Sequence, residues 1–433
     1  MTGNKSRCQN SISQLLLTLL ILCGLLQCDS RPHSYDSKLL SEISKEVFKY
    51  SDINRSYERL AELTDTIGNG VSGSKDLDLA IKYMYNALTR DGLENVHLEL
   101  VKIPHWVRGE ENGVMLLPRN HTLAILGLGS SVETPPGGIE AEVMVVETFE
   151  ELKKRASDTK GKIVVYNQPF VRASKAAKVG AVASLIRSVT PFGINSPHTS
   201  WQWYQPGVAQ IPTACITVED AQMMARMTRR GQRIVVHLTM RAQTLPDVDS
   251  QSTPLSLLIG LLHPCGVAQS GHLDSWDVSQ GAMDDGGGVT ISWEALSFIR
   301  DLGLHPIRTL RTVLWSAEER GGMGAAQYFK QHKVHFLIIL ILLCSFTGSD
   351  KPWKDNFHTY ESHHFSSVHY FFPSASLHTA DQRYFWFHHS DGDTMSVQNP
   401  EEMNLCSAVW AVVAYVVVDL DEMFPRYTEK NNQ

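Results

Sequence analysis

The sequence lacks any block of basic residues. Its 433 residues include 39 lysines and arginines against 46 aspartates and glutamates, which gives a formal net charge of −7. A nucleic-acid-binding protein needs a concentrated positive surface to meet the phosphate backbone. We therefore expect no nucleic-acid partner, and we expect a dense group of carboxylates to bind a cation. The 43% hydrophobic fraction is that of a globular chain long enough for two domains.

Paired cysteines are also lacking. Three of the seven cysteines lie in or beside an apolar N-terminal run, and the other four are far apart in the sequence: Cys215, Cys265, Cys344 and Cys406. No two of them form a CxxC motif, which excludes a structural zinc site built on such pairs. We interpret these four as buried free thiols, and a disulfide among them is the alternative.

No apolar run reaches the roughly 20 residues that a membrane-spanning helix needs. Residues 15–26 are apolar, follow Lys5 and Arg7, and precede small or polar residues at 28–30. This pattern is typical of a signal peptide over residues 1–28, with a membrane anchor as the alternative. The shorter apolar runs at 336–344 and 408–418 fit core elements better. We expect a secreted protein without a membrane span.

Two Asn-X-Ser/Thr sequons support the secretory route as candidate glycosylation sites. They begin at Asn54 and Asn120. Such triplets also arise by chance, so they support the signal peptide without proving it.

The chain divides into three regions after the signal peptide. Residues 35–112 carry helical patterns followed by an alternating strand, and residues 113–245 carry short β-rich segments broken by glycine and proline. In residues 246–433 strand-like and helix-like segments alternate, which predicts an α/β fold with helices on both faces of a sheet. We therefore predict a separate β-rich module at 113–245 between a helical region at 35–112 and an α/β region at 246–433.

Residues 270–288 collect one histidine and four aspartates without a single basic residue. His272 and Asp274 would share one face if a strand ends here, as a metal-bound imidazole oriented by an acid requires. A surface histidine beside a salt bridge is the alternative. Asp284 and Asp285 repel each other unless a cation neutralises them or solvent screens them. The glycines that follow lead straight into an apolar helix, which argues against a solvated loop.

Two further groups have the same chemistry. Glu318 and Glu319 follow an apolar strand, and ligands of α/β sheets gather at the carboxyl ends of strands. One glutamate could bind metal while the other acts as general base on a water whose pKa the metal lowers; a solvated helix start is the alternative. His388 and His389 precede Asp393, which could hold a histidine ligand; a polar loop is the alternative. Imidazole and carboxylate ligands without thiolate suit a hydrolytic pair of zinc ions.

In this order, the motifs His-x-Asp, Asp-Asp-Gly, Glu-Glu and His-x-x-x-Asp resemble those of the M28 family of co-catalytic zinc peptidases. Segments outside the motifs, such as 54–77 and 408–423, extend the resemblance over most of the chain. It implies a peptidase domain formed by residues 35–112 and 246–433, with a central mixed sheet flanked by helices, and an inserted protease-associated domain at 113–245. It further implies two zinc ions per chain, a homodimer, small peptide substrates such as dipeptides, and a secreted or lysosomal location, with the endoplasmic reticulum and Golgi on the route.

The resemblance also assigns roles to single residues. His272 would bind one zinc ion, Asp284 would bridge both, and Glu319 and His389 would bind the second. Glu318 would be the general base. Asp274 would orient His272, and the peptide bond after Asp284 would be cis.

The chain departs from the family pattern at three places: residues 250–270, residues 336–386, and the insert after Pro169. The family has a further aspartate that binds the same zinc ion as His272, and the stretch 333–354 contains no such motif. Asp350 is the nearest candidate. We therefore expect the zinc site at His272 to be weakened. A catalytically impaired or inactive peptidase-fold binding protein is the alternative function, and another zinc hydrolase is a second.

Overall fold

A computed structural model of the chain describes residues 37–50, 55–169, 173–257, 266–332, 342–343, 375–376 and 383–420. The predictions for the signal peptide, Asn54, Asp350 and most of the divergent stretch 336–386 lie outside these residues. The same holds for Cys265 and Cys344. Among the described residues, Cys215 is a buried free thiol.

The helices, in chain order, are α1 Ser37–Tyr50, α2 Arg55–Ile67, α3 Lys75–Arg90, α4 Phe149–Lys154, α5 Ala173–Lys178, α6 Val218–Arg229, α7 Gly287–Asp301, α8 Met323–His332, α9 Tyr384–Phe387 and α10 Pro400–Val418. The strands are β1 Glu99–Val107, β2 Glu111–Leu117, β3 His121–Leu123, β4 Ile125–Gly127, β5 Ile139–Val146, β6 Ile163–Tyr166, β7 Ala183–Arg187, β8 Thr213–Ile216, β9 Val235–Met240, β10 Gln243–Leu257, β11 Gly266–His272, β12 Thr309–Trp315, β13 Leu342–Leu343 and β14 Ala375–Ser376.

The main sheet has the strand order β1-β10-β12-β11-β13-β14 and is mixed. Strand β10 is antiparallel to β1 and β12, whereas β11 runs parallel to β12 and β13. In this register His272, the last residue of β11, lies beside Trp315, the last residue of β12. Both strands therefore end at the same edge, and the residues that follow them are brought together there. The predicted α/β fold with a central mixed sheet is confirmed.

Helices α2, α3, α7 and α10 pack with this sheet into one apolar core. Every residue of α7 from Gly287 to Ile299 is buried, as expected of a helix whose surface is apolar nearly all round. The buried charged residue of this helix is Glu294, which is 1% exposed and accepts hydrogen bonds from Arg55 (2.7 Å) and Arg59 (2.5 Å) of α2. A buried carboxylate is tolerated only when it is paired in this way.

The start of α7 lies directly against β11. A Cβ atom on Gly271 would be 2.7 Å from the backbone nitrogen of Val289, closer than such atoms approach. Glycine at 271 thus allows the helix to approach the strand, and this contact sets the position of His272 relative to the turn that precedes α7.

The strands between Glu111 and Met240 form a second sheet, in the order β3-β2-β9-β5-β6-β7-β8-β4, with its own buried core. The chain enters this unit from β1 and leaves it into β10, and these two strands pair up to Val107 and Gln243. The insert is therefore attached to the core through two neighbouring antiparallel strands. This short double connection limits where the insert can lie relative to the main sheet.

Within the described residues, α10 is the helix that is long and apolar enough to cross a membrane by length and composition alone. It has 19 residues, and 61% of its apolar window is buried inside the protein. Asn399 caps its start by accepting hydrogen bonds from the backbone N–H groups of Glu401 and Glu402. These features are those of a core helix that packs against α7 and α2.

Candidate metal centre

Three segments converge at the carboxyl edge of β11 and β12. His272 ends β11, and Glu318 and Glu319 follow β12. Asp284 lies in the wide turn Ala282–Gly286 before α7, and His389 lies just after α9. The structure thus brings together all four residues that the sequence predicts as metal ligands, with the predicted general base beside them.

The two oxygens of Asp284 face different histidines. Its Oδ2 lies 2.8 Å from Nε2 of His389, and its Oδ1 lies 3.2 Å from Nε2 of His272. Oε2 of Glu319 lies 2.9 Å from the same Nε2 of His389. This is the arrangement that a carboxylate bridging two cation positions requires.

The hydrogen bonds of the two imidazoles leave both Nε2 atoms facing carboxylates, where a proton or a metal ion can bind. Nδ1 of His272 donates to the carbonyl oxygen of Asp274 at 2.7 Å, and Nδ1 of His389 donates to that of Thr199 at 3.0 Å. With the proton on Nδ1, a neutral imidazole presents a lone pair at Nε2. Both Nε2 lone pairs would then face carboxylate oxygens, which is repulsive unless a second proton or a metal ion lies between them.

The residues fit zinc. His272, Asp284 and Glu319 are buried and offer ligand atoms that all lie within 4.8 Å of one another. Ligand atoms at tetrahedral zinc, with bonds of about 2.0–2.2 Å, are about 3.3–3.6 Å apart. Oε1 of Glu319 is buried and has no hydrogen-bond partner among the described residues. Nε2 of His389 lies 2.8 Å from Oδ2 of Asp284 and 2.9 Å from Oε2 of Glu319, so small side-chain shifts would place these three residues around one ion.

The titration of these groups follows from burial and mutual attraction. Burial opposes a charge on His389, but the facing carboxylates Glu319 and Asp284 raise its pKa well above the usual value. Burial, together with the neighbouring carboxylates, raises the pKa of Glu318 to about 7. The Glu318 side chain is 30% exposed, and its Oε2 lies 3.8 Å from Nε2 of His272. A carboxylate with a pKa near neutrality that reaches solvent beside the ligands is suited to general base catalysis.

Asp274 supports the site differently from the expectation. Strand β11 ends at His272, so Asp274 lies in the following loop and not on a shared strand face. Its backbone carbonyl, not its carboxylate, accepts the His272 hydrogen bond, because the carboxylate is 3.7 Å from Nδ1. The carboxylate instead accepts from the backbone N–H groups of Glu318 (3.0 Å) and Glu319 (3.1 Å). Asp274 therefore positions both glutamates.

Asp393 was expected to hold a histidine ligand, and the structure gives it another role. It does not hold His389; its carboxylate accepts hydrogen bonds from the backbone N–H groups of Met283 (2.6 Å) and Asp284 (3.1 Å). It therefore fixes the turn that carries Asp284. The peptide bond between Asp284 and Asp285 is cis, as the resemblance implies.

His388 does not join the ligands. Its ring is buried, and its centroid lies 5.5 Å from that of His198 and 4.8 Å from that of Tyr384.

Several functional contacts were not apparent from the sequence. Nε1 of Trp276 donates to Oε2 of Glu319 at 2.7 Å, and the carbonyl of Thr199 accepts from His389. Arg320, 1% exposed, supplies a positive charge beside the carboxylates Asp274 and Glu319. Trp276 and Arg320 adjoin the predicted motifs, so their position in the sequence was a usable signal. No local pattern indicates Thr199, which is distant in the chain.

Comparison with known proteins finds peptidases. The model of peptidase family M28 matches residues 263–344. The chain is 54% identical to carboxypeptidase Q of Homo sapiens, over 94% of this chain and 97% of that protein. This alignment spans 462 positions, more than the 433 residues of the chain, so the human protein has residues with no counterpart here.

Solved structures show the same fold. A peptidase M28 precursor from Shewanella amazonensis is 25% identical and superimposes with a TM-score of 0.80, over 90% of this chain and 100% of that one. The zinc aminopeptidase BSAP from Bacillus subtilis, 17% identical, superimposes with a TM-score of 0.60 over 86% of this chain and 96% of that one. The chain therefore belongs to peptidase family M28 and is a hydrolase of the metallo-exopeptidase class.

Proposed function

We propose that this peptidase uses zinc to hydrolyse short peptides with free termini, dipeptides above all. The observation that carries the proposal is the position of Glu318, whose pKa is raised to about 7, beside an inward-facing set of two imidazoles and two carboxylates. The names of the relatives support exopeptidase activity and zinc, since one is a carboxypeptidase and another a zinc aminopeptidase. The preference for dipeptides rests on the family resemblance.

Asp284, Glu319 and His389 would hold a zinc ion, whose chemistry is to polarise the peptide carbonyl and make water more acidic. Glu318 takes the proton from the attacking water and returns it to the departing amine, so no proton has to come from solvent. Asp274 keeps Glu318 in reach by binding its backbone N–H group. The partial exposure of Glu318 leaves one side of the carboxylate open to substrate.

A second zinc ion would bind more weakly. The charged partners of the His272 ring among the described residues are Asp274, Asp284 and Glu318. Asp274 is occupied with backbone N–H groups, Glu318 is the general base, and Glu319 would be shared with the first ion, although it lies within 4.8 Å of the other two ligand atoms. Among the described residues this leaves His272 and Asp284 as the unshared and bridging ligands of the second ion. We expect one zinc ion per chain to survive dialysis. Two retained ions, measured by mass spectrometry of the metal content, would contradict this.

Secretion, glycosylation and dimerisation form the second part of the proposal. The signal-like N-terminus supports a secreted or lysosomal enzyme that passes through the endoplasmic reticulum and Golgi. Asn120 is exposed in the turn between β2 and β3, where an oligosaccharide would meet no obstacle. The homodimer rests on the family resemblance. Glycosidase treatment of protein from the culture medium and light scattering test these points directly.

The catalytic proposal is tested by Glu318→Gln. Loss of the base should lower kcat on free dipeptides by about 10²–10⁴-fold, while zinc content and fold stay unchanged. Glu150→Gln, an exposed glutamate in α4, is the matched control and should retain full activity. A Glu318→Gln enzyme with wild-type turnover would remove Glu318 from this role.

The substrate panel separates the alternatives. Free dipeptides and their N-acetylated forms are compared with and without a chelator. Chelator-sensitive cleavage of the free dipeptides supports the proposal. Exclusive cleavage of the blocked forms would favour another zinc hydrolase. Absence of any turnover in zinc-loaded protein would favour an inactive binding protein, for which the incomplete ligand set at His272 is the structural argument.

A further inference from the structure

The metal ligand His389 is held by the insert. The backbone N–H of Thr199 donates to the carbonyl of His389 at 2.8 Å, and the carbonyl of Thr199 accepts from Nδ1 of His389 at 3.0 Å. Thr199 is itself anchored within the insert, because its Oγ1 donates to the carbonyl of Gly127 at 2.8 Å. His389 has φ 58, a backbone conformation that residues other than glycine seldom adopt. The reciprocal bonds therefore hold a conformation that the segment would not favour alone.

The second ligand, Glu319, is connected to the same part of the insert through aromatic rings. Arg320 is buried, and the central carbon of its guanidinium lies 4.6 Å from the ring centroid of Trp201 and 4.8 Å from that of Trp276. Both distances fall within the range of cation–π attraction. Trp276 then donates its indole N–H to Oε2 of Glu319. Trp201 belongs to the insert, whereas Trp276 and Arg320 belong to the core.

The cluster formed by Trp201, Trp276 and Arg320 is closely packed. A Cβ atom on Gly129 would lie 2.4 Å from Trp201 and 2.5 Å from Trp276, so both rings press against the backbone at that residue. Nε and Nη1 of Arg320 have no hydrogen-bond partner among the described residues. The central carbon of the guanidinium also lies 5.6 Å from the ring centroid of Trp106, so three ring faces contribute to holding it. Removal of the Trp201 face leaves space into which the guanidinium and Trp276 can move.

We infer that residues 198–202 of the insert are a positioning element of the metal centre. Thr199 orients His389, and Trp201, acting through Arg320 and Trp276, orients Glu319. The insert would thus contribute to zinc affinity without supplying a ligand. This inference rests on the proposed zinc function, and it extends that function to the domain that carries none of the predicted catalytic residues.

The test measures the dissociation constant of zinc by competition with a chromophoric chelator. Trp201→Leu removes a ring face, and Thr199→Pro removes the N–H that binds His389. Each should weaken zinc binding by about 10–100-fold, the usual effect of losing a partner that orients a ligand. Trp201→Phe keeps an aromatic face and should restore wild-type affinity. Phe149→Leu, which removes an aromatic ring elsewhere in the insert, 5.9 Å from the ring of Tyr166, is the control and should bind zinc as the wild type does.

Circular dichroism and thermal melting identify the folded variants. Folded Trp201→Leu protein that binds zinc as tightly as the wild type would overturn the inference, whether or not Thr199→Pro folds. Equal weakening by Phe149→Leu would also overturn it, because the effect would then be general destabilisation of the insert. A wild-type protein that binds no zinc would instead overturn the proposed function, so the two failures are distinguishable.

Discussion

The hydrogen bond from Trp276 to Glu319 gives a quantitative prediction. Trp276→Phe keeps most of the ring but removes the N–H that donates to Oε2 of the buried Glu319 at 2.7 Å. Hydrogen bonds to charged groups contribute about 1.5–3 kcal/mol. Since about 1.4 kcal/mol corresponds to a factor of ten, the upper limit of the effect is a 10–150-fold weaker zinc affinity. Loss of ligand-orienting partners in other metal sites weakens affinity by about 10–100-fold, so we expect that range.

The matched control is Trp293→Phe. The indole N–H of Trp293 donates to a carboxylate oxygen of Asp91 at 2.8 Å, a bond of the same chemistry in the helical core. Its loss should lower the free energy of unfolding and leave zinc affinity unchanged. Calorimetric zinc titration and urea unfolding of both variants give the comparison. Equal zinc affinities for Trp276→Phe and the wild type would refute the assignment of Glu319 as a ligand positioned by Trp276.

Three further predictions concern the fold and the ion. Glu294→Ala leaves Arg55 and Arg59 without their buried partner and should lower the free energy of unfolding by about 3–5 kcal/mol in urea titrations; a loss under 1 kcal/mol would contradict the buried network. Gly271→Ala forces β11 away from α7 and should cost about 1–3 kcal/mol; an unchanged melting temperature would contradict the close contact. Zinc at 100 times its dissociation constant should stabilise the wild type by about 2.7 kcal/mol. His389→Ala should lose most of that gain, and full stabilisation of the variant would count against His389 as a ligand.

The sequence predicted the site better than it predicted the contacts around it. His272, Asp284, Glu318 and Glu319 were recognisable because each adjoins a strand end or a glycine-rich turn, features that are local in the chain. Because β11 ends at His272 beside the end of β12, the residues that these local patterns identify lie close together in the fold.

The supporting contacts could not be predicted because they join distant residues. Thr199 and His389 are separated by 190 positions, and Thr199 takes part in both bonds through its backbone, which carries no side-chain signal. Asp393 was predicted beside a histidine from its spacing, yet it binds the backbone of Met283 and Asp284 instead. Only the packing of the insert and the α7 turn against the core determines these partners.

The central claim is that Asp284, Glu319 and His389 bind one zinc ion at the carboxyl edge of the main sheet. The most direct test is a crystal structure of the zinc-loaded protein, with an anomalous difference map at the zinc absorption edge. We predict a strong peak at about 2.0–2.2 Å from Oδ2 of Asp284, a carboxylate oxygen of Glu319 and Nε2 of His389. Absence of a peak between these three side chains in zinc-loaded crystals would contradict the account.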